Sequence, residues 1–166
     1  HVIRDYARIL RHGQSRMRRR LDGFLALADE LEQAQEPLPI IFGHNDLLPA
    51  NFIDDGERLW LIDFEYAGFS TAMFDLAGLA SNAAFSDAEA EALLAEYFGR
   101  SPTPALMRSH AAMQCASLLR EAMWSMVSEL YLDAPGADYR SYTQTSLDAL
   151  DRALERYRSA YGKGHS

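Results

Sequence analysis

Phe42-Gly-His-Asn-Asp-Leu-Leu-Pro-Ala-Asn-Phe-Ile53, followed after a turn by Leu59-Trp-Leu-Ile-Asp-Phe-Glu-Tyr66, is the stretch that decides how this chain folds. Asn51 to Asp54 and Arg58 to Asp63 are short extended runs around Asp54-Asp-Gly56, a hairpin turn signal. Ahead of them, Pro39 to Gly43 reads as a short strand or extended lead-in. His44 to Asn51, polar and carrying Pro49, reads as a loop. A hairpin this short is expected to set Asn51 and Asp63 side by side at one end, so that two oxygen ligands converge on one point.

Outward from the hairpin the chain reads as helical. Residues 14–35 place Leu21, Phe24, Leu25, Ala28 and Leu31 on one helix face, and Pro37 and Pro39 close the segment. Downstream, helices are predicted over 72–83, 87–98, 104–132 and 138–161. For the second of these, Ser86 is the N-cap, Glu89 sits at the capping-box position and Gly99 is the stop. The expected architecture is a single, mainly α domain over residues 1–166 with one two-stranded ribbon embedded in it.

Composition narrows the function class. A chain of 166 residues that is 48% hydrophobic can bury a real core. Its one cysteine, Cys115, excludes a disulfide framework and a Cys-based zinc site, and points to a reducing, cytoplasmic setting. No apolar run approaches the roughly 20 residues needed to span a bilayer. The first residues lack the apolar core of a signal peptide and there is no initiator Met, so the chain reads as part of a longer protein that opens inside a helix. Residues 1–20 hold seven Arg against one Asp, a charge of +6, while the remainder carries −14 of the net −8. That acidic body argues against nucleic acid as a partner and suits a cationic one. The run Arg16-Met-Arg-Arg-Arg20 reads as a solvated helix face or a contact with a neighbouring segment.

Phosphoryl transfer from a magnesium nucleotide needs one carboxylate to handle the proton of the attacking hydroxyl. It also needs hard oxygen ligands for the metal that neutralises the phosphates. Asp46 and Asn51 stand five apart across the loop, and Asp63 closes the next strand, the order and spacing of a kinase catalytic loop followed by its metal-binding Asp.

The run His44-x-Asp46-x-x-x-x-Asn51, then Ile62-Asp63-Phe64 and Phe74-Asp75-Leu-Ala77, resembles the aminoglycoside phosphotransferase and choline or ethanolamine kinase group. The wording His-Asn-Asp-Leu and Ile-Asp-Phe-Glu-Tyr is most similar to the choline kinase branch. The resemblance is tight over about residues 40–85 and looser to about 160. It implies the C-terminal lobe of the protein-kinase-like fold, ATP and Mg2+ as cofactors, and a small alcohol such as choline or ethanolamine as acceptor. An aminoglycoside or thiamine is the alternative acceptor, and a non-catalytic, pseudokinase-like binding module is the alternative class.

Roles follow from the resemblance. Asp46 is the implied catalytic base or hydroxyl-positioning group, and Asn51 and Asp63 are the magnesium ligands. His44 is structural, bonding backbone near the metal strand, and Asp75 braces the loop from the next helix. Glu65 stands where protein kinases have a glycine. It adds an anion near the acceptor, or else forms a surface ion pair, and Tyr66 divides the same way. Asn45 replaces the Arg through which many protein kinases sense activation-loop phosphorylation, so no such switch is expected. For the acceptor, Trp124 and Tyr131, seven apart on one helix, are candidate cation–π partners with core packing as the rival reading. Tyr139, Tyr142, Tyr157 and Tyr161 read as packing residues. The group's N-terminal lobe, with its sheet, phosphate-covering loop and gripping Lys, has no counterpart here: the one lysine is Lys163. A lone lobe is expected to turn over negligibly.

Overall fold

The computed structural model describes residues 1–162, so Lys163 lies outside the described residues. The order is helix α1 (Val2–His12), α2 (Leu21–Gln33), strand β1 (Ile40–Gly43), β2 (Phe52–Asp54), β3 (Leu59–Leu61), β4 (Gly68–Thr71), then α3 (Ala72–Asn82), α4 (Asp87–Phe98), α5 (Pro104–Tyr131) and α6 (Tyr139–Tyr161). The fold is thus mainly helical with small antiparallel sheets. Among the described residues, no helix is long and apolar enough to cross a membrane. The chain divides into two compact units, one made of His1–Ala34 with Cys115 onward, the other of Gln35–Gln114.

The unit Gln35–Gln114 holds all four strands. β2 and β3 pair antiparallel in the register Phe52↔Leu61, Ile53↔Trp60 and Asp54↔Leu59. The turn between them is tied by Asp55, whose carboxylate accepts from the Glu57 and Arg58 backbone and, at 2.6 Å, from the Trp60 indole N–H. A second sheet corrects the expectation of a single ribbon: β1 pairs with β4 from Ile40↔Thr71 to Gly43↔Gly68. Gly68-Phe69-Ser70-Thr71 shows no alternation to mark it as a strand, and its partner lies 25 or more residues upstream, beyond any local pattern.

β4 runs straight into α3, whose Ala72, Met73 and Leu76 form a core with Leu94 of α4 and Leu106 of α5. Helix α4 has the predicted boundaries and caps. Glu89 N–H donates to the Ser86 hydroxyl, Ser86 N–H donates to the Glu89 carboxylate, and Gly99 closes the helix at φ 63°. A glycine is favoured there because a Cβ makes left-handed backbone costly.

The other unit packs α1, α2, the later turns of α5, and α6. Leu10, Leu21, Leu31, Leu119, Met123, Met126, Leu147 and Leu150 are fully buried in it. The helix predicted over 14–35 begins later than expected. α1 ends at Gly13, Arg18–Arg20 form a single 3₁₀ turn, and α2 starts only at Leu21. The cause is local: Gln14 is left-handed at φ 54°, and the buried Ser15 hydroxyl accepts the Met17 N–H, competing with helical bonding.

Candidate active site

The loop between β1 and β2 is held by its neighbours as well as by hydrogen bonds within itself. Asp75, in the first turn of α3, accepts the backbone N–H of His44 at one carboxylate oxygen and that of Asn45 at the other, both at 2.7 Å. Such charge-assisted bonds are among the stronger kind. They require the carboxylate to lie against β1, and Gly43 makes this possible: a Cβ there would stand 2.7 Å from the Asp75 Oδ2 and 2.9 Å from the Ser70 hydroxyl.

His44 is buried. Its Nε2 lies 2.8 Å from the Ile62 carbonyl, and its Nδ1 accepts the Asp46 N–H at 3.3 Å. The two contacts select the tautomer with the proton on Nε2. The ring also stacks against Phe64, with centroids 4.6 Å apart. His44 therefore links the loop to both sides of Asp63 without presenting a proton to the site.

Asn51 ends a 3₁₀ turn, Pro49–Asn51, and is buried. Its Nδ2 donates to the Asp46 carbonyl at 3.0 Å. Its own carbonyl accepts the Ile62 N–H at 3.0 Å, so the β2/β3 ladder continues to Asn51 opposite Ile62, with Asp63 one residue beyond. Asp63 is left-handed at φ 64°, a conformation that Asp tolerates better than most residues, and its side chain is exposed. Asp46 is half-buried, with its backbone fixed at both ends and no hydrogen bond to its carboxylate among the described residues. Glu65 and Tyr66 are exposed beyond Asp63.

Several supports carried no sequence signal as supports. Asn45, read only as a missing Arg, donates through Nδ2 to the Tyr66 carbonyl at 3.1 Å and accepts the Ser70 hydroxyl at 2.7 Å. Asn82, at the end of α3, donates to the Leu47 carbonyl at 3.0 Å. Each contact spans more than 20 residues of chain, so no spacing rule could have found it.

The whole of this arrangement falls within one segment. The model of the phosphotransferase enzyme family matches residues 4–110. The chain belongs to the phosphotransferase enzyme family. Among solved structures it is similar to a choline/ethanolamine kinase family protein from Mesorhizobium loti, at 26% identity and a TM-score of 0.82, over 98% of this chain and 58% of that one. Protein LicA of Haemophilus influenzae is 25% identical over 139 residues, 82% of this chain and 41% of LicA. A probable ethanolamine kinase of Arabidopsis thaliana is 50% identical over 40 residues, 23% of this chain and 11% of that protein. The chain thus spans about half the length, or less, of the relatives it matches.

The remaining site candidates lie in the other unit, which is described by itself. Trp124 is half-buried and meets Tyr139 and Tyr142 edge-on, with centroids 6.2 and 6.3 Å away. The Tyr142 hydroxyl donates to Glu121 at 2.7 Å. Tyr131 is exposed and takes no part in this cluster; its hydroxyl lies where a Cβ on Gly13 would stand, 2.8 Å away. The ring partners of Trp124 are therefore Tyr139 and Tyr142, which were read as packing residues, and Tyr131 is not among them.

Proposed function

We propose that the whole protein is a cytoplasmic kinase that transfers the terminal phosphoryl group of ATP to the hydroxyl of a small, cationic alcohol of the choline or ethanolamine type. The observation that carries this reading is the juxtaposition of Asp46, Asn51 and Asp63 around one braced loop. Asp46 offers a carboxylate without a side-chain partner on a backbone that cannot drift, which suits a group that orients the acceptor hydroxyl and takes its proton. Asn51 Oδ1 and the Asp63 carboxylate are hard oxygens at one end of one hairpin, and the donor set fits Mg2+, which takes one or two carboxylate-type ligands and completes its shell with water and phosphate. Among the described residues no three His, Cys, Asp or Glu side chains gather, so an all-protein metal cage is not the model here. When bound, Mg2+ supplies charge neutralisation at the phosphates.

The cationic acceptor is supported by Glu65 and Tyr66 following Asp63, and by the composition of the Trp124 cluster, three aromatic rings with the Glu121 carboxylate. Aromatic faces attract an ammonium group that a carboxylate also favours.

The test is a panel of alcohols with ATP and Mg2+ on the whole protein, beside Asp46→Ala and Asp63→Ala. Phosphorylation of choline or ethanolamine that falls at least about a thousandfold in both variants, with the fold intact, supports the reading. Phosphorylation of an aminoglycoside or thiamine but not of an amino alcohol replaces the acceptor. Unchanged cellular function in both variants makes the protein a binding module.

A further inference from the structure

We propose that Asn45 is a positioning residue: its side-chain amide clasps the segment after Asp63 onto the catalytic loop, and so sets how Glu65 and Tyr66 are presented to the acceptor. The inference rests on the kinase reading for its kinetic consequences, though not for the clasp itself.

Asn45 is left-handed at φ 64°. Glycine adopts that backbone freely and Asn is one of the few other residues that tolerates it, so the position admits a side chain at modest steric cost. What the side chain adds is an amide with both of its ends in use. Nδ2 donates to the Tyr66 carbonyl at 3.1 Å, Oδ1 accepts the Ser70 hydroxyl at 2.7 Å, and the residue's own N–H goes to Asp75 at 2.7 Å. One residue thereby joins the catalytic loop, the return segment 64–70 and α3.

Room for the amide is made on both strands. Gly43 and Gly68 face each other in the β1/β4 ladder. A Cβ on Gly68 would come within 3.4 Å of Asn45 Nδ2, and one on Gly43 within 3.4 Å of Asn45 Oδ1. Two facing glycines at the loop end of a short ladder leave the slot that the side chain fills. A second backbone bond, Ala67 N–H to the Phe64 carbonyl at 3.1 Å, closes the segment into a turn. Glu65 and Tyr66 are exposed, so the direction of their side chains follows from the backbone that Asn45 holds. The amide has its partners already, so the segment is ordered without covalent modification.

The experiment uses the whole protein with Asn45→Gly, which keeps the backbone conformation and deletes the amide, Ser70→Ala, which removes one of its two bonds, and the pair combined. Asn45→Gly is expected to raise the acceptor KM about tenfold or more while the ATP KM stays within about twofold. Ser70→Ala acts in the same direction with a smaller effect, and the double variant is no worse than Asn45→Gly, because both changes remove one contact set. Amide hydrogen exchange over residues 64–71 should quicken in both single variants and stay unchanged over α4. If Asn45→Gly does not fold, Ser70→Ala carries the same exchange test. A wild-type acceptor KM in Asn45→Gly, an equal rise in both KM values, or unchanged exchange over 64–71 overturns the proposal. Should the wild-type protein phosphorylate no alcohol, the kinase reading fails while the exchange result still decides the clasp.

Discussion

Asp75 reaches back 31 residues from α3 to accept the N–H of His44 at 2.7 Å, and 30 residues to accept that of Asn45, also at 2.7 Å. The two bonds use both carboxylate oxygens and fix two successive peptide planes immediately before Asp46. Replacing one oxygen by an amide NH₂ would turn a donor toward a backbone donor. Asp75→Asn is therefore expected to cost about 1–3 kcal/mol of stability and to lower kcat about a hundredfold by displacing Asp46. Urea unfolding and steady-state kinetics of the whole protein measure the two effects, and an unaltered kcat would separate Asp75 from the chemistry.

Gly43 should behave as part of the same device. The Cβ of an alanine would press on Asp75 Oδ2 at 2.7 Å and on Ser70 Oγ at 2.9 Å, and neither atom belongs to a side chain free to retreat. Gly43→Ala is expected to lose about 1–3 kcal/mol through this crowding. Combined with Asp75→Asn it should lose less than the sum of the two, since both disrupt one set of contacts. A strictly additive double-mutant cycle would show that the glycine serves something else.

How far the sequence disclosed this follows the range of the interactions. The α4 caps lie within three or four residues of each other, and Ser86, Glu89 and Gly99 marked that helix correctly. The hairpin was likewise legible because Asp54-Asp-Gly56 is a local turn signal. The motif residues Asp46, Asn51 and Asp63 could be named from spacing and the Asp75 brace from the resemblance, but which backbone groups Asp75 holds, and the Asn45–Ser70 contact, could not, because folding alone brings those residues together. The late start of α2 at Leu21, against a helix predicted from residue 14, went unseen for the opposite reason: the apolar period from Leu21 to Leu31 was strong enough to be extended too far upstream.

Cys115 should be chemically silent in the folded protein. It is buried, and burial pushes its thiol up to about 11. Thiolate is the reactive form, so at pH 8 almost none is present and reagent cannot reach it. Alkylation by iodoacetamide should be negligible in native buffer and stoichiometric in denaturant, read by mass spectrometry. Rapid native labelling would mean that α5 opens around it.

His110 gives the pH dependence. It is 2% exposed on α5, and its Nε2 is buried with no hydrogen-bond partner among the described residues. Burial lowers its pKa below the ordinary 6.5, and a hydrogen bond with the Leu76 backbone opposes that only in part. Protonation would place a second N–H, and a charge, where nothing accepts them. With the folded pKa below the unfolded one, the unfolded chain binds more protons between the two values, so stability rises with pH across that window. The contribution is fully present above about pH 6.5 and is lost as pH falls through 6.5 toward the folded value. Other groups titrate in acid as well, so the informative quantity is a difference. Urea midpoints at pH 7.5 and pH 5.0 should fall further for the wild type than for His110→Phe, which fills similar volume and cannot take up a proton. Because Leu76 adjoins Asp75, loss of His110 packing in acid should also loosen the support of the catalytic loop, seen as faster amide exchange at His44 and Asn45. Parallel pH profiles for the two proteins would show that His110 titrates alike in both states, and that its buried nitrogen carries no penalty.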